Sequence, residues 1–426
     1  MISFEEYLSR CVSPYHCIQV SSEMLSEAGF SPLAISEPWE VHPGQGYYVS
    51  CHGTMLAAFT VGKSFSRRTS FRMAAAHTDW PCLYIKSASE QLTAGCIRLQ
   101  VEPYGGIILR SWLDRPLSCA GAVTLKSAAS FRPEIRLVDF KEPLFVIPEL
   151  AIHINREVNK GAALSPAKDM LPICAAVEDK FNKDGFFLNK LAEQLQVAVT
   201  DILSFDLMLY NTQPPCRTGF SKEFLLAPRL DNLTSAYACL KGLSEGSSEE
   251  GLNIIGLYDN EEIGSRSKAG ADSGTMGMLI EKIAASLGMS RTECIDAMTS
   301  GFLLSCDVAH ALHPNYTEKY DSAQTALLNR GVALKMNYEQ RYATQCADIG
   351  TVISLAERSH APYQLFMNKP DVRGGSTLGS FPASAFSMPA ADIGVPILAM
   401  HSSTELMGIQ DQDAINTLVT EFFRAE

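Results

Sequence analysis

The chain lacks a C-x-x-C pair, although it carries 12 cysteines; the closest two are Cys11 and Cys17. That absence excludes the common zinc knuckle. Cys239 and Cys294 sit within apolar runs, as small hydrophobes do, and the whole set reads as reduced thiols of a cytoplasmic protein. Long apolar runs are also missing. The longest uncharged stretch takes in His42 to Gly62, but Pro43, Gln45, four glycines and two histidines interrupt it. No membrane span has that texture. The first residues, Met1 to Glu6, lack the basic start and apolar stretch of a signal peptide. Positive charge is scarce: 35 Lys and Arg stand against 47 Asp and Glu, for a net charge of -12. This argues against nucleic acid or an anionic membrane as a partner. Neither a fixed-period repeat nor a low-complexity tract is present.

What is there belongs to a globular protein: 46% hydrophobic and 19% charged residues over 426 positions. Such a length exceeds one ordinary core and predicts two domains, or one domain with an insertion. Residues 3–29 predict two helices, the second started by Pro14 and ended by Gly29. Alternating apolar segments follow at 47–61 and 71–76. Short alternating runs at 95–103, 119–126 and 134–139 predict half-buried antiparallel strands. From Ala227 onward, helices at 232–243 and 274–287 alternate with buried strands at 252–258, 301–306 and 395–400. That alternation predicts a largely parallel sheet with covering helices. Residues 1–87 and 218–426 are therefore assigned to one α/β domain, with 88–217 inserted into it.

Open α/β sheets bind ligands outside the carboxyl ends of their strands. The polar residues at those ends form a set. The run 71–76 ends in His77-Thr78-Asp79, and the run 252–258 ends in Asp259-Asn260-Glu261-Glu262. The run 301–306 ends in Asp307, with His310 and His313 close by, and the run 395–400 ends in His401. Asp231 precedes the 232–243 helix. Each has a bland use: Asp231 and Asp307 suit helix caps or turns, and a single histidine after a strand suits a core or loop position. Together, His, Asp, Glu-Glu, Asp and His are a donor set for zinc or a similar divalent ion. Adjacent carboxylates repel, so the Glu261–Glu262 pair calls for a cation or a proton-transfer role.

These segments, with Ser13-Pro14-Tyr15-His16, Tyr104-Gly105-Gly106, Trp112-Leu113-Asp114-Arg115, Leu150 to Arg156, Arg229-Leu230-Asp231-Asn232, His313-Pro314-Asn315-Tyr316, Gln340 to Thr344 and Gly375-Ser376-Thr377, run nearly end to end. In this order the chain resembles the aspartyl aminopeptidase family of co-catalytic di-zinc metallopeptidases. The resemblance implies a mixed-sheet α/β/α metallopeptidase core with an inserted, mainly β dimerisation domain. It implies two divalent ions, zinc first, with manganese or cobalt as substitutes. His77 and Asp307 would hold one ion, Glu262 and His401 the other, and Asp231 would bridge them. Glu261 would be the general base and acid, and Asp79 would hold the His77 imidazole in its metal-binding tautomer. His310, Lys335 and Tyr342 match positions that contact the peptide substrate. His153 matches a histidine that reaches the neighbouring subunit's active site. The implied assembly is a homodimer that builds into a dodecamer, and Lys335 would select acidic N-terminal residues.

The chain also departs from that pattern. Thr404 stands where the family has arginine, Arg115-Pro116 and Gly121-Ala122 replace an acid and an arginine in the insert, and Gly374 replaces a cysteine. None of these is a proposed ligand; acidic specificity and assembly contacts are what they touch. A metal-dependent deacylase or amidase on the same core, or a non-catalytic shell protein, are the rival readings. The first would lack the motif around His153, and the second would have lost a ligand or the base.

Overall fold

The computed structural model describes residues 1–178, 181–372 and 374–425. The chain forms two units. One comprises 1–79, 215–400 and 405–426; the other comprises 80–214 and 401–404.

The first unit is built on nine strands: β1 Ser31–Pro32, β2 Gly46–Cys51, β3 Met55–Val61, β4 Phe71–His77, β5 Leu252–Tyr258, β6 Phe302–Cys306, β7 Val332–Lys335, β8 Tyr363–Phe366 and β9 Ala390–Gly394. Their order in the sheet is β1-β2-β3-β5-β4-β6-β9-β7-β8. The heart of the sheet, β5-β4-β6-β9, is parallel. The joints β2–β3, β3–β5 and β9–β7 are antiparallel, so the sheet is mixed.

Every residue of β5 is buried, as a strand covered on both faces requires. Alternation then sorts its side chains. Leu252, Ile254 and Tyr258 join Phe71, Met73 and Ala75 of β4 in one core cluster, with Met276, Leu279, Ile280 and Ile283 of helix α4 (Thr275–Ser286). Ala74, Ala76, Ile255 and Leu257 are left for the other face. There helix α3 (Leu230–Glu245) packs on β4 and β5, and helix α5 (Ile409–Arg424) packs on α3. The small side chains of Ala74 and Ala76 let α3 come close.

The two predicted N-terminal helices are α1 (Phe4–Arg10) and α2 (Pro14–Glu27). Ser3 and Ser13 cap them, accepting the backbone N–H of Glu6 at 3.2 Å and of His16 at 3.3 Å. The last predicted strand differs. Instead of one strand over 395–400, the main sheet takes Ala390–Gly394, and Pro396–Leu398 enters a separate five-stranded sheet with Ala309–His310, Glu405–Gly408, Phe224–Ala227 and Cys216–Thr218. Pro396 has no N–H for a central ladder, so the run breaks there.

The second unit holds a six-stranded antiparallel sheet. Its order is Glu134–Asp139, Leu117–Leu125, Ile202–Asn211, Cys82–Thr93, Cys96–Tyr104, Ile173–Ala176. In Cys96–Tyr104 the buried residues are Ile97, Leu99 and Val101, and charged or polar residues alternate with them. Helix Phe186–Leu195 buries Phe187, whose ring lies 5.8 Å from that of Phe205. Among the described residues, no helix of either unit is long and apolar enough to cross a membrane.

Candidate metal centre

Parallel neighbours end on the same edge of a sheet. β5, β4 and β6 are such neighbours, so the residues that close or follow them, His77, Asp259 and Asp307, are delivered to one place. His77 is the last residue of β4 and is 1% exposed. Its Nε2 lies 3.4 Å from Asp231 Oδ1 and 3.4 Å from Asp307 Oδ1. The ligand atoms of His77, Asp231 and Asp307 are within 4.8 Å of one another, and so are those of His77, Glu261 and Glu262.

The imidazole is held by its other nitrogen. Nδ1 is 3.1 Å from the backbone carbonyl of Asp79. A carbonyl only accepts, so Nδ1 donates to it, and Nε2 is the nitrogen turned to the two aspartates. The carboxylate of Asp79, 3.4 Å from Nδ1, has a second task. It accepts the backbone N–H of Glu261 at 3.2 Å and of Glu262 at 3.1 Å. The main chain of Asp79 thus orients the histidine, while its side chain anchors the loop that carries the paired glutamates. That loop is a short 3₁₀ turn, Glu261–Ile263, bracketed by Asn260 (φ 63°) and Gly264 (φ 96°) in the left-handed region.

Asp231 sits at the start of α3 with a non-helical ψ of 108°, and the helix start has no side-chain capping bond. Its carboxylate faces His77 instead. Its N–H donates to Glu405 Oε2 at 3.0 Å, and Glu405 is 2% exposed. Asp307 follows β6. Gly394 of β9 makes room for it: a Cβ there would lie 1.6 Å from the Asp307 carbonyl oxygen, closer than any side chain allows.

Charge is unbalanced here. Asp79, Asp231, Asp307, Glu261 and Glu262 converge around His77, and Lys335 is the cation that faces them. Its Nζ is 3.7 Å from Asp307 Oδ2 and donates to the Val308 carbonyl at 3.1 Å. Burial alone would raise the Asp307 pKa; Lys335 and His77 outweigh it and bring the carboxyl down to about 2. Burial also pushes Glu261 up to about 8. His77 pulls it down, while Asp307, Asp79 and Asp231 reinforce the rise. Burial and the Asp79 charge raise Asp259 to about 7. Burial lowers the pKa of His77, but Asp307, Asp79 and Glu261 hold it well above its ordinary value. One lysine does not offset this much buried negative charge, and each uncompensated ion costs several kcal/mol. Oxygen donors with an imidazole nitrogen, close together and short of positive charge, fit a divalent ion such as zinc.

His401 belongs to the second unit. Its Nδ1 donates to the Gly106 carbonyl at 3.0 Å, as that of His77 does to Asp79. His153 is on an exposed loop of the second unit, between Ile152 and Ile154, which are 47% and 75% exposed. Lys335, the last residue of β7, is 1% exposed. Its ammonium lies 5.1 Å from the centre of the Tyr342 ring. Tyr342 OH accepts Asn368 Nδ2 at 3.1 Å. His310 ends the short strand Ala309–His310 and is exposed.

Sequence reasoning missed two buried acids. Glu405 supports Asp231; its only signal was its place four residues after His401. Asp392 of β9 lies opposite Lys335 in the register and accepts Thr377 Oγ1 at 2.6 Å and Ala343 N–H at 2.6 Å.

Comparison with known proteins agrees with this chemistry. Residues 7–423 match the family described as Aminopeptidase I zinc metalloprotease (M18). The chain is 38% identical over 412 residues to the probable M18 family aminopeptidase 2 of Clostridium acetobutylicum, covering 96% of this chain and 95% of that one. Its fold is similar to that of a chain in the Ape4 and Nbr1 complex solved by cryo-EM, with a TM-score of 0.94, 31% identity, and coverage of 99% of this chain and 84% of that one. It is also similar to a chain of the S. cerevisiae mApe1 dodecamer, with a TM-score of 0.85, 26% identity and coverage of 99% and 95%. With a family match across nearly its whole length and relatives above a third identical, the chain belongs to the M18 family of zinc aminopeptidases, the aspartyl aminopeptidase family.

Proposed function

We propose that this aminopeptidase is a co-catalytic two-ion enzyme that releases acidic N-terminal residues from peptides. The buried His77–Asp231–Asp307 cluster, with Glu261 and Glu262 beside it, carries the proposal. His77 and Asp307 would hold one ion, Glu262 and His401 the other, and Asp231 would serve both. Zinc is the first choice, and manganese or cobalt suit the same donors. Divalent ions there supply Lewis acidity, polarising the scissile carbonyl and acidifying water.

The chain's own groups do the rest. Glu261 takes a proton from the attacking water and gives it to the leaving amine as the amide C–N bond breaks. Asp79 keeps Glu261 in place through its backbone N–H and keeps His77 in the required tautomer. Tyr342 and His310 contact the peptide, and Lys335 supplies the positive charge that favours an acidic first side chain. The 80–214 unit is the dimerisation domain, and its His153 serves the active site of a second copy. The dimers build a dodecamer, as in the S. cerevisiae mApe1 assembly.

Assays of Asp-, Glu- and Leu-linked chromogenic amides test this, with chelator and then with zinc, manganese or cobalt restored. The expected result is loss of activity on chelation, recovery with metal, and faster turnover of the acidic amides. Activity indifferent to chelation sinks the two-ion reading, and equal rates on all three amides sink the acidic one.

A further inference from the structure

A cavity of about 330 Å³ opens at the far end of the main sheet's catalytic edge, beyond Lys335. Its floor is Phe366 of β8, 2% exposed and paired in register with Lys335. Its wall includes Asn368, which donates to Tyr342 OH. The cavity is therefore adjacent to the groups proposed to meet substrate, but one strand further out.

Its rim is cationic. Lys319 and Lys369 both line it, with His310 and His313. Lys369 Nζ donates to the Glu318 carbonyl at 2.9 Å, which leaves two ammonium protons. Among the described residues neither lysine forms an ion pair with a carboxylate. His313 Nδ1 accepts the backbone N–H of Asn315 at 3.2 Å. An accepting Nδ1 puts the ring proton on Nε2, so His313 is a donor there. Asp321 is the one acid in the lining, and its Oδ1 is engaged within its own turn, accepting the N–H of Ala323 and of Gln324 at 2.9 Å each. An apolar floor under two ammonium groups and an imidazole donor suits a short carbon chain that ends in a carboxylate.

We infer that this cavity binds a carboxylate of the peptide beyond its first residue. The inference rests on the aminopeptidase reading of the neighbouring cluster. The first residue must place its own carbonyl at His77, Asp231 and Asp307, and Lys335 stands between that point and the cavity. A carboxylate that reaches Lys319 and Lys369 therefore comes from further along the peptide. Two sources share this chemistry: the side chain of an acidic second residue, and the terminal carboxylate of a dipeptide.

The test uses the full-length, metal-loaded protein and four substrates with a common first residue: Asp-Gln-NH2, Asp-Glu-NH2, Asp-Ala-NH2 and the free acid Asp-Ala. Product is followed by chromatography. Ion pairs at partly buried sites predict about tenfold higher kcat/KM, expressed in KM, for the carboxylate member of at least one pair. The Glu/Gln pair reports the side chain and the acid/amide pair reports the terminus. The double variant K319M/K369M brings the ratio close to one and leaves Asp-Ala-NH2 unchanged; Lys319 is exposed and Lys369 half-buried, and an unchanged melting temperature checks the fold. Ratios near one in the parent protein, or ratios that survive the double variant, overturn the inference. If none of the four is cleaved, the acidic-specificity reading fails instead. Calorimetric binding of the same pairs then decides the cavity, with equal affinities counting against it.

Discussion

Two groups of buried acids in the first unit make a useful contrast. Asp411, in the first turn of α5, is fully buried and spends its carboxylate on the main chain: Oδ2 accepts the N–H of Asn329 and Oδ1 that of Gly331, both at 2.7 Å. Asp392 is likewise bonded through both oxygens. These carboxylates are self-sufficient; they pin loops and strands. Around His77 the arrangement is reversed. There the backbone N–H groups are spent on Asp79, and Asp231, Asp307, Glu261 and Glu262 turn toward one another. Burial and hydrogen bonding make an acid structural; burial and crowding make it a candidate ligand. The number of acidic residues does not separate the two cases, but the direction of the nearby N–H groups does.

The largest effect that sharpens the contrast is on turnover. Glu261→Gln keeps the size of the side chain and removes the base, so kcat falls about 10³-fold while metal content by elemental analysis stays the same. A loss below tenfold would place Glu261 among the structural acids. Next, Lys335→Met strips Asp307 of its buried counter-charge. Breaking such a pair costs about 3 kcal/mol, read as a lower urea midpoint in the chelated protein, and metal restores part of it. A midpoint unchanged by the substitution would show that the lysine does not hold Asp307.

Removing metal alone separates the regions directly. The melting temperature drops by roughly 5 °C on chelation, since an ion bound only to the native state adds to its stability. Hydrogen exchange speeds up at the amides of Glu261 and Glu262 but not at those of Asn329 and Gly331. Uniform acceleration at both would erase the distinction. The smallest effect concerns acidity. Burial raises Asp411 to about 6 from an ordinary 3.8, against the pull of its backbone hydrogen bonds. The folded state then holds this proton more tightly than the unfolded chain. Its contribution to stability is complete below pH 4 and is lost as the pH climbs through 6, by at most about 3 kcal/mol. In Asp411→Asn that slope flattens between pH 4 and 6, and an unchanged slope would show that the carboxyl titrates normally.

Strand ends were the legible part of the sequence. Buried runs at 71–76, 252–258 and 301–306 locate parallel strands, and parallel strands end together, so His77, Asp259 and Asp307 arrive at one edge, where Asp231 joins them from the start of α3. The run at 395–400 misled because the main-sheet strand lies just before it, at Ala390–Gly394, and only Pro396–Leu398 of the run is a strand, in the five-stranded sheet. Local pattern also hid what depends on distant partners. Nothing around Glu405 announces the N–H of Asp231, and nothing around Lys335 announces that its ammonium turns inward to Asp307 rather than outward. Asp79 was noticed for its carboxylate, 3.4 Å from His77 Nδ1, and its backbone carbonyl, 3.1 Å from the same nitrogen, was not.

The separation in the chain of His77, Asp231 and Asp307 has a consequence for the order of events in a cell. In a zinc finger the ligands are neighbours, so the ion organises the peptide around itself. Here His77 is synthesised long before Asp231 and Asp307, and the sheet must close across the intervening 80–214 segment before His77 meets either of them. Contacts of such range form late in folding. An ion held by these residues would therefore enter a finished framework, and its supply would limit how many molecules are active more than how many are folded.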